Sequence, residues 1–135
     1  MERLIADTGF FVAIARGSDP RHPGAAAYSD KFSGQLVTTS AVIVEACRFL
    51  TPGARINLLN SVGPKLAVVD VPVQSYPELA STIGKYSDRD VDFADASLVW
   101  LADQTGLKRI LTVDLRDFST LRLRNGKRFE LVDWA

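Results

Sequence analysis

Apolar residues fall into two patterns along the chain. Short, nearly continuous runs, RLIAD (3–7), QLVTTS (35–40), KLAVVDVP (65–72), KRILTVD (108–114) and FELVDW (129–134), predict brief strands of the kind buried on both faces. Between them lie longer segments with helical character. TGFFVAIARG (8–17) predicts a helix closed by Gly17, and the stretch through Tyr28 and Phe32 predicts a second that stops at Gly34. Pro20, Pro23 and Gly24 mark a loop around His22 before it. A third helix carries AVIVEACRFL (41–50), with Thr38, Thr39 or Ser40 as its N-cap, until Pro52 and Gly53 break or reset it. ARINLLNSVG (54–63), PELASTIGKYS (77–87) and DFADASLVWLADQTG (92–106) are further helices, the last two separated by the polar stretch SDRDVD.

Strands therefore alternate with helices, which predicts the α/β class and a three-layer α/β/α sandwich with a central, mainly parallel sheet. The 135 residues suit one domain spanning 1–135, and the chain shows no internal repeat or low-complexity tract. In such sheets the functional crevice lies beyond the carboxyl ends of the strands. Side chains just past strand ends are thus the first candidates for chemistry.

Charge adds a local feature rather than a global one. Sixteen basic and sixteen acidic residues cancel, so net charge points to neither nucleic acid nor membrane. The distribution is uneven: Asp88, Asp90, Asp92 and Asp95 crowd together, and Lys108, Arg109, Arg116, Arg122, Arg124, Lys127 and Arg128 follow. The last five either neutralise phosphates beside the crevice or solvate a C-terminal hairpin around Asn125-Gly126. The single cysteine, Cys47, has no intrachain partner and reads as a packed free thiol. With no basic-then-apolar leader pattern at the start and no apolar run long enough to span a bilayer, a cytoplasmic protein is expected.

The carboxylates carry the chemistry. Asp7 ends the first predicted strand, Asp114 ends the fourth, and Asp95 lies in the first turn of the helix beginning near Asp92. Each has a local explanation as well: Asp7 as the cap of the helix starting at Thr8, Asp92 as a cap with Asp95 as its box partner, and Asp114 as a turn initiator. Glu45 has no such explanation. It stands mid-helix in an apolar run, where an isolated buried carboxylate is costly unless paired, protonated or bound to a cation. If these four converge, their repulsion calls for a cation, and an all-oxygen donor set favours Mg²⁺ or Mn²⁺ over zinc. That chemistry suits phosphodiester hydrolysis.

LIADTGFFVA, the glutamate of TTSAVIVEACRFL, DFADASLVWLA and ILTVDLRDF, in that order from Leu4 to Phe118, resemble the four signature blocks of PIN-domain nucleases, especially VapC-type toxins of bacterial toxin–antitoxin pairs. The resemblance implies a compact α/β/α domain, Mg²⁺- or Mn²⁺-dependent endoribonuclease activity, and a homodimer held inactive by a VapB-like antitoxin. By motif, the catalytic and metal-binding acids are Asp7, Glu45, Asp95 and Asp114. Asp117 in the last block and Asp92 on the helical face of Asp95 are further candidate ligands. Thr8 and Thr112 are candidates for orienting them. The implied mechanism uses water as nucleophile and needs no covalent intermediate.

Rival readings meet specific objections. A receiver-like signalling module needs an acid pair after its first strand, and Asp7 has no neighbouring acid; a DxD phosphatase fails because Thr8 and Gly9 follow Asp7. One histidine, His22, expected at the surface, excludes a histidine-pair ribonuclease within one chain. A PIN-fold RNA-processing nuclease outside any toxin–antitoxin pair is the alternative within the same fold.

Overall fold

The computed structural model describes residues 1–134. Five strands, β1 (Arg3–Ala6), β2 (Gln35–Thr39), β3 (Leu66–Val69), β4 (Arg109–Leu111) and β5 (Glu130–Leu131), form one sheet in the order β3-β2-β1-β4-β5. Every neighbouring pair is parallel. The α/β/α expectation holds, with the sheet wholly rather than mainly parallel. Seven α-helices flank it among the described residues: α1 (Thr8–Ala15), α2 (His22–Lys31), α3 (Ser40–Cys47), α4 (Pro52–Asn60), α5 (Tyr76–Lys85), α6 (Phe93–Thr105) and α7 (Leu115–Thr120).

The centre of the sheet is covered on both sides. Successive β-residues point to opposite faces, yet Leu4, Ile5 and Ala6 of β1 are all fully buried, as are Ile110 and Leu111 of β4. Phe10, Leu98, Leu101 and Phe118 pack onto them from the helices, and Phe10 meets Trp134 edge-to-face at 5.0 Å. Trp134 also donates its indole N–H to the Thr112 carbonyl at 3.2 Å, which ties the chain end to the turn beyond β4.

Chain direction reverses beside β1. From β1 the chain winds outward through β2 and β3, then returns to add β4 and β5 on the opposite side. The carboxyl ends of β1 and β4 therefore flank a switch point, where a crevice must open because the connections depart in opposite directions.

Several boundaries differ from expectation. α1 closes at Ala15, with Arg16 as C-cap, rather than at Gly17. His22 is not in a loop: it opens α2, with Pro23 in the first turn where a missing N–H costs nothing. Nor is it simply a surface residue, because its ring is half-buried and Nδ1 lies 2.7 Å from the Ala13 carbonyl of α1. β4 ends at Leu111, so Asp114 stands beyond the strand and opens α7, a helix the sequence pattern did not indicate. FELVDW shortens to the two residues of β5. The apolar run around Glu45 is not all core, since Val44 and Phe49 are 64% and 56% exposed.

Candidate active site

Three candidate acids occupy N-caps, and that shared role explains why they meet. A helix start leaves N–H groups without intrahelical partners, and a carboxylate satisfies them while matching the positive end of the helix dipole. Asp7 caps α1, accepting from the Thr8 N–H at 2.7 Å. Asp92 caps α6 in a capping box: it accepts from the Asp95 N–H at 2.9 Å, and Asp95 accepts from the Asp92 N–H at 3.4 Å. Asp114 caps α7 by accepting from the Asp117 N–H at 3.1 Å. The local explanations in the sequence were therefore right, and they do not compete with convergence.

Buried hydroxyls lock these starts together. The Thr112 hydroxyl donates to Asp7 at 2.9 Å and accepts from the Asp114 N–H at 2.9 Å, joining the acids past β1 and β4 through one side chain. Thr38 donates to the Ala6 carbonyl at 2.7 Å, holding β2 to the end of β1. Thr39 proves to be the N-cap of α3, and its hydroxyl lies 2.7 Å from that of Ser97 in α6. The helix carrying Glu45 is thereby fastened to the helix carrying Asp95. Gly9 permits a close approach here, because a Cβ there would collide with the Val113 side chain in the turn leading to Asp114.

The acids sense one another through charge. Asp7, buried to 6% exposure, has its pKa pushed up to about 6, first by burial and further by Glu45 and Asp114; the Thr8 N–H and the Thr112 hydroxyl oppose the rise. Asp95 is raised to about 8, again chiefly by burial, then by the charges of Asp92 and Asp7. Burial also raises Glu45, with Asp92 adding to the effect while Thr8 and Arg48 oppose it. Asp114 rises through burial, with the Asp117 and Asp92 charges contributing. Glu45 is thus only half-buried and turned towards other acids.

The donor set fits a divalent cation. All the converging side chains offer oxygen, and no salt bridge among the described residues reaches Asp7 or Asp95. The buried Thr8 hydroxyl has no hydrogen-bond partner, although it lies near enough to Glu45 to favour its charged form. Among the described residues no three His, Cys, Asp or Glu side chains already form an ion cage. Asp7, Asp92 and Asp114 each give one oxygen to a cap and keep further lone pairs, and Mg²⁺ ordinarily takes only one or two carboxylates and keeps several waters.

Asp117 behaves differently from the other candidates. Its carboxylate pairs with Arg89 at 3.3 Å, a contact across twenty-eight positions that no sequence pattern announced. Thr39 and Ser97 were also missed as a pair, although the Thr-Thr-Ser junction between strand and helix hinted at capping. Of the two readings of the C-terminal basic residues, the turn at Asn125-Gly126 is present: Arg122 and Arg128 bridge in antiparallel fashion, Arg122 donates to carbonyls at the end of α7, and Arg124 pairs with Glu78 at 3.3 Å.

Comparison with known proteins agrees with this architecture. The family model described as PIN domain matches residues 4–122. The chain is 28% identical over 134 residues to Ribonuclease VapC26 of Mycobacterium tuberculosis, covering 96% of this chain and 99% of that protein. Its fold is similar to the crystal structure of M. tuberculosis VapC20, described as a sarcin-ricin loop cleaving toxin, with a TM-score of 0.71, 17% identity and coverage of 79% and 86% of the two chains. A toxin–antitoxin complex from Klebsiella pneumoniae superposes with a TM-score of 0.63 at 13% identity, over 98% of each chain.

Proposed function

The chain belongs to the PIN-domain family, and on that premise we propose that it is a Mg²⁺- or Mn²⁺-dependent endoribonuclease toxin of the VapC type, neutralised by a VapB-like antitoxin. The observation that carries this reading is the pair Asp7 and Asp95. They come from separate elements, both resist ionisation through burial and the charges of neighbouring acids, and no salt bridge to either is found among the described residues. A pair like this favours arrival of a cation. Similarity to Ribonuclease VapC26 along nearly the whole chain supports RNA as the substrate, and likeness to a toxin–antitoxin complex favours a toxin over a processing nuclease.

Asp7, Glu45, Asp95 and Asp114 would hold the ion, with Asp92 as an outer ligand. When bound, such an ion supplies Lewis-acid stabilisation of charge at the phosphate and makes water a stronger nucleophile near neutral pH. The chain's own residues prepare for it. The Thr8 N–H and the Thr112 hydroxyl each take one oxygen of Asp7 and fix the plane of its carboxylate. The Thr39–Ser97 contact fixes the spacing between the helices of Glu45 and Asp95. Asp95 must give up its proton before it can serve as a ligand, so cation uptake is linked to proton release. No helix among the described residues is long and apolar enough to cross a membrane. The working form we propose is a cytoplasmic homodimer.

The deciding experiment is cleavage of bulk total RNA by the purified chain with Mg²⁺, Mn²⁺ or EDTA, alongside Asp7→Asn and Glu45→Gln. Metal-dependent cleavage lost in both variants supports the reading. Cleavage that survives EDTA, or survives both substitutions, overturns it.

A further inference from the structure

The ion pair between Arg89 and Asp117 is not an ordinary surface contact. The two side chains are only 27% and 24% exposed, so both charges are largely withdrawn from water. Each end is anchored. The Arg89 N–H donates to the Tyr86 carbonyl at 2.9 Å, closing the loop between α5 and α6, and the Tyr86 hydroxyl in turn accepts from the Arg122 N–H at 3.1 Å. Asp117 sits in the first turn of α7, where its N–H donates to Asp114. The guanidinium is therefore held one carboxylate away from the acid cluster.

Two consequences follow from charge and donor count. A guanidinium already resting on an Asp117 oxygen would repel a divalent ion placed on that same carboxylate. Among the described residues, the Arg89 side chain makes no hydrogen bond other than the one from Nη1 to Asp117, so most of its five N–H donors stay free. Four of the later basic residues are committed elsewhere: Arg122 to the end of α7, Arg124 to Glu78, and Lys108 and Arg109 to Glu130. Arg116, Lys127 and Arg128 lack such partners among the described residues, but none of them touches an acid of the crevice as Arg89 does. A crevice lined by carboxylates repels a polyphosphate chain unless some cation meets the phosphate next to it. A planar guanidinium with free N–H groups suits non-bridging phosphate oxygens.

We infer that Arg89 binds an RNA phosphate at the margin of the crevice, and that Asp117 is its positioning residue and not a ligand of the ion. This rests on the nuclease reading above. The test uses the full chain with Arg89→Ala, Arg89→Lys, Asp117→Asn and the charge-removed double variant Arg89→Gln/Asp117→Asn. Three quantities are read: Mn²⁺ affinity by titration, affinity for a labelled mixed-sequence single-stranded RNA in EDTA across a salt series, and metal-dependent cleavage of bulk RNA. Circular dichroism checks folding, and the double variant, with no unpaired charge left behind, keeps the test open if a single variant unfolds.

Asp117→Asn is expected to leave Mn²⁺ affinity within about twofold while weakening RNA binding by roughly five- to twentyfold, as Arg89→Ala does. The double variant should be no worse than Arg89→Ala alone, Arg89→Lys should recover part of the loss, and the salt slope should fall by about 0.7 for one lost single-strand contact. A tenfold or greater loss of Mn²⁺ affinity in Asp117→Asn makes Asp117 an ion ligand and overturns the inference. So does a wild-type chain that cuts RNA no better than Arg89→Ala. If the wild-type chain neither binds nor cuts RNA, the nuclease reading falls first and takes this inference with it.

Discussion

Replacing Asp7 by asparagine should make the metal-free protein more stable while removing its activity. Asp7 is buried, and its pKa lies near 6 in the folded chain against 3.8 as its ordinary value. Between those pH values the folded state keeps a proton that the unfolded state has lost, so stability falls as pH rises through this window, and the deficit is complete above about pH 6. A displacement of about two units corresponds to about 3 kcal/mol at neutral pH. Asparagine carries no charge at any pH and removes the deficit. Its carbonyl still accepts from the Thr8 N–H, but an NH₂ group replaces the oxygen that accepts from Thr112, at a cost of roughly 1 kcal/mol. The net gain at neutral pH is then about 2 kcal/mol, or a rise in melting temperature of roughly 5–10 °C for a domain of this size. Urea unfolding in EDTA checks this at about pH 4.5 and about pH 7.5. The advantage of Asp7→Asn over wild type should grow by about 2 kcal/mol between the two, because the hydrogen-bond penalty cancels in the comparison. Saturating Mn²⁺ should reverse the order, since ligand at ~100 times its dissociation constant stabilises the folded state by about 2.7 kcal/mol and only the wild type binds it well. A pH-independent difference between the two proteins would refute the reasoning.

Three further outcomes are expected. Because Asp95 holds its proton up to about pH 8, Mn²⁺ uptake near pH 7 should release close to one proton per ion and tighten as pH rises to about 8; calorimetry in buffers of different ionisation enthalpy reads this directly. Ser97→Ala removes the partner of the buried Thr39 hydroxyl and should destabilise the chain by about 1–2 kcal/mol by urea titration, with a fall in Mn²⁺ affinity because the helices of Glu45 and Asp95 lose their tie. Gly9→Ala drives a Cβ into the Val113 side chain; an overpacking penalty of roughly 1–3 kcal/mol and weaker Mn²⁺ binding should appear together, since the strained turn separates Asp7 from Asp114.

Much of the architecture was legible because it depends on short-range pattern. Strands buried on both faces read as continuous apolar runs, and parallel pairing needs the intervening helices that the pattern supplied. Asp7 and Asp114 were placed at the crevice by the strand-end rule, and Glu45 by the absence of any other reason for a mid-helix acid. What escaped was either too short or too distant in sequence. LRDFST has six residues and no complete apolar repeat, so α7 left no periodic signal. Pro23 reads as a loop breaker unless the helix is known to begin one residue earlier. Val44 and Phe49 are apolar yet exposed, which burial statistics cannot predict position by position. Contacts such as Arg89–Asp117 and Thr39–Ser97 join segments that only the completed sheet brings together.

The geometry also explains why capping and the proposed ion binding need not compete for the same acids. An N-cap carboxylate uses some of its lone pairs on local N–H donors and leaves others free, and it must sit where a helix starts. In a parallel sheet the helices that follow strands start at the carboxyl edge, so an acid chosen only to cap α1 or α7 is delivered to the switch point between β1 and β4. Asp7 and Asp114 therefore need no separate device to bring them together beyond the single Thr112 hydroxyl that both engage. Glu45 caps nothing, and its position relies on the buried Thr39–Ser97 contact instead. That difference orders the acids by how their loss should be felt. Substituting Glu45 should alter ion binding with little effect on helix integrity, whereas substituting Asp114 removes an acid and a cap together, lowering Mn²⁺ affinity and destabilising α7 by about 1 kcal/mol.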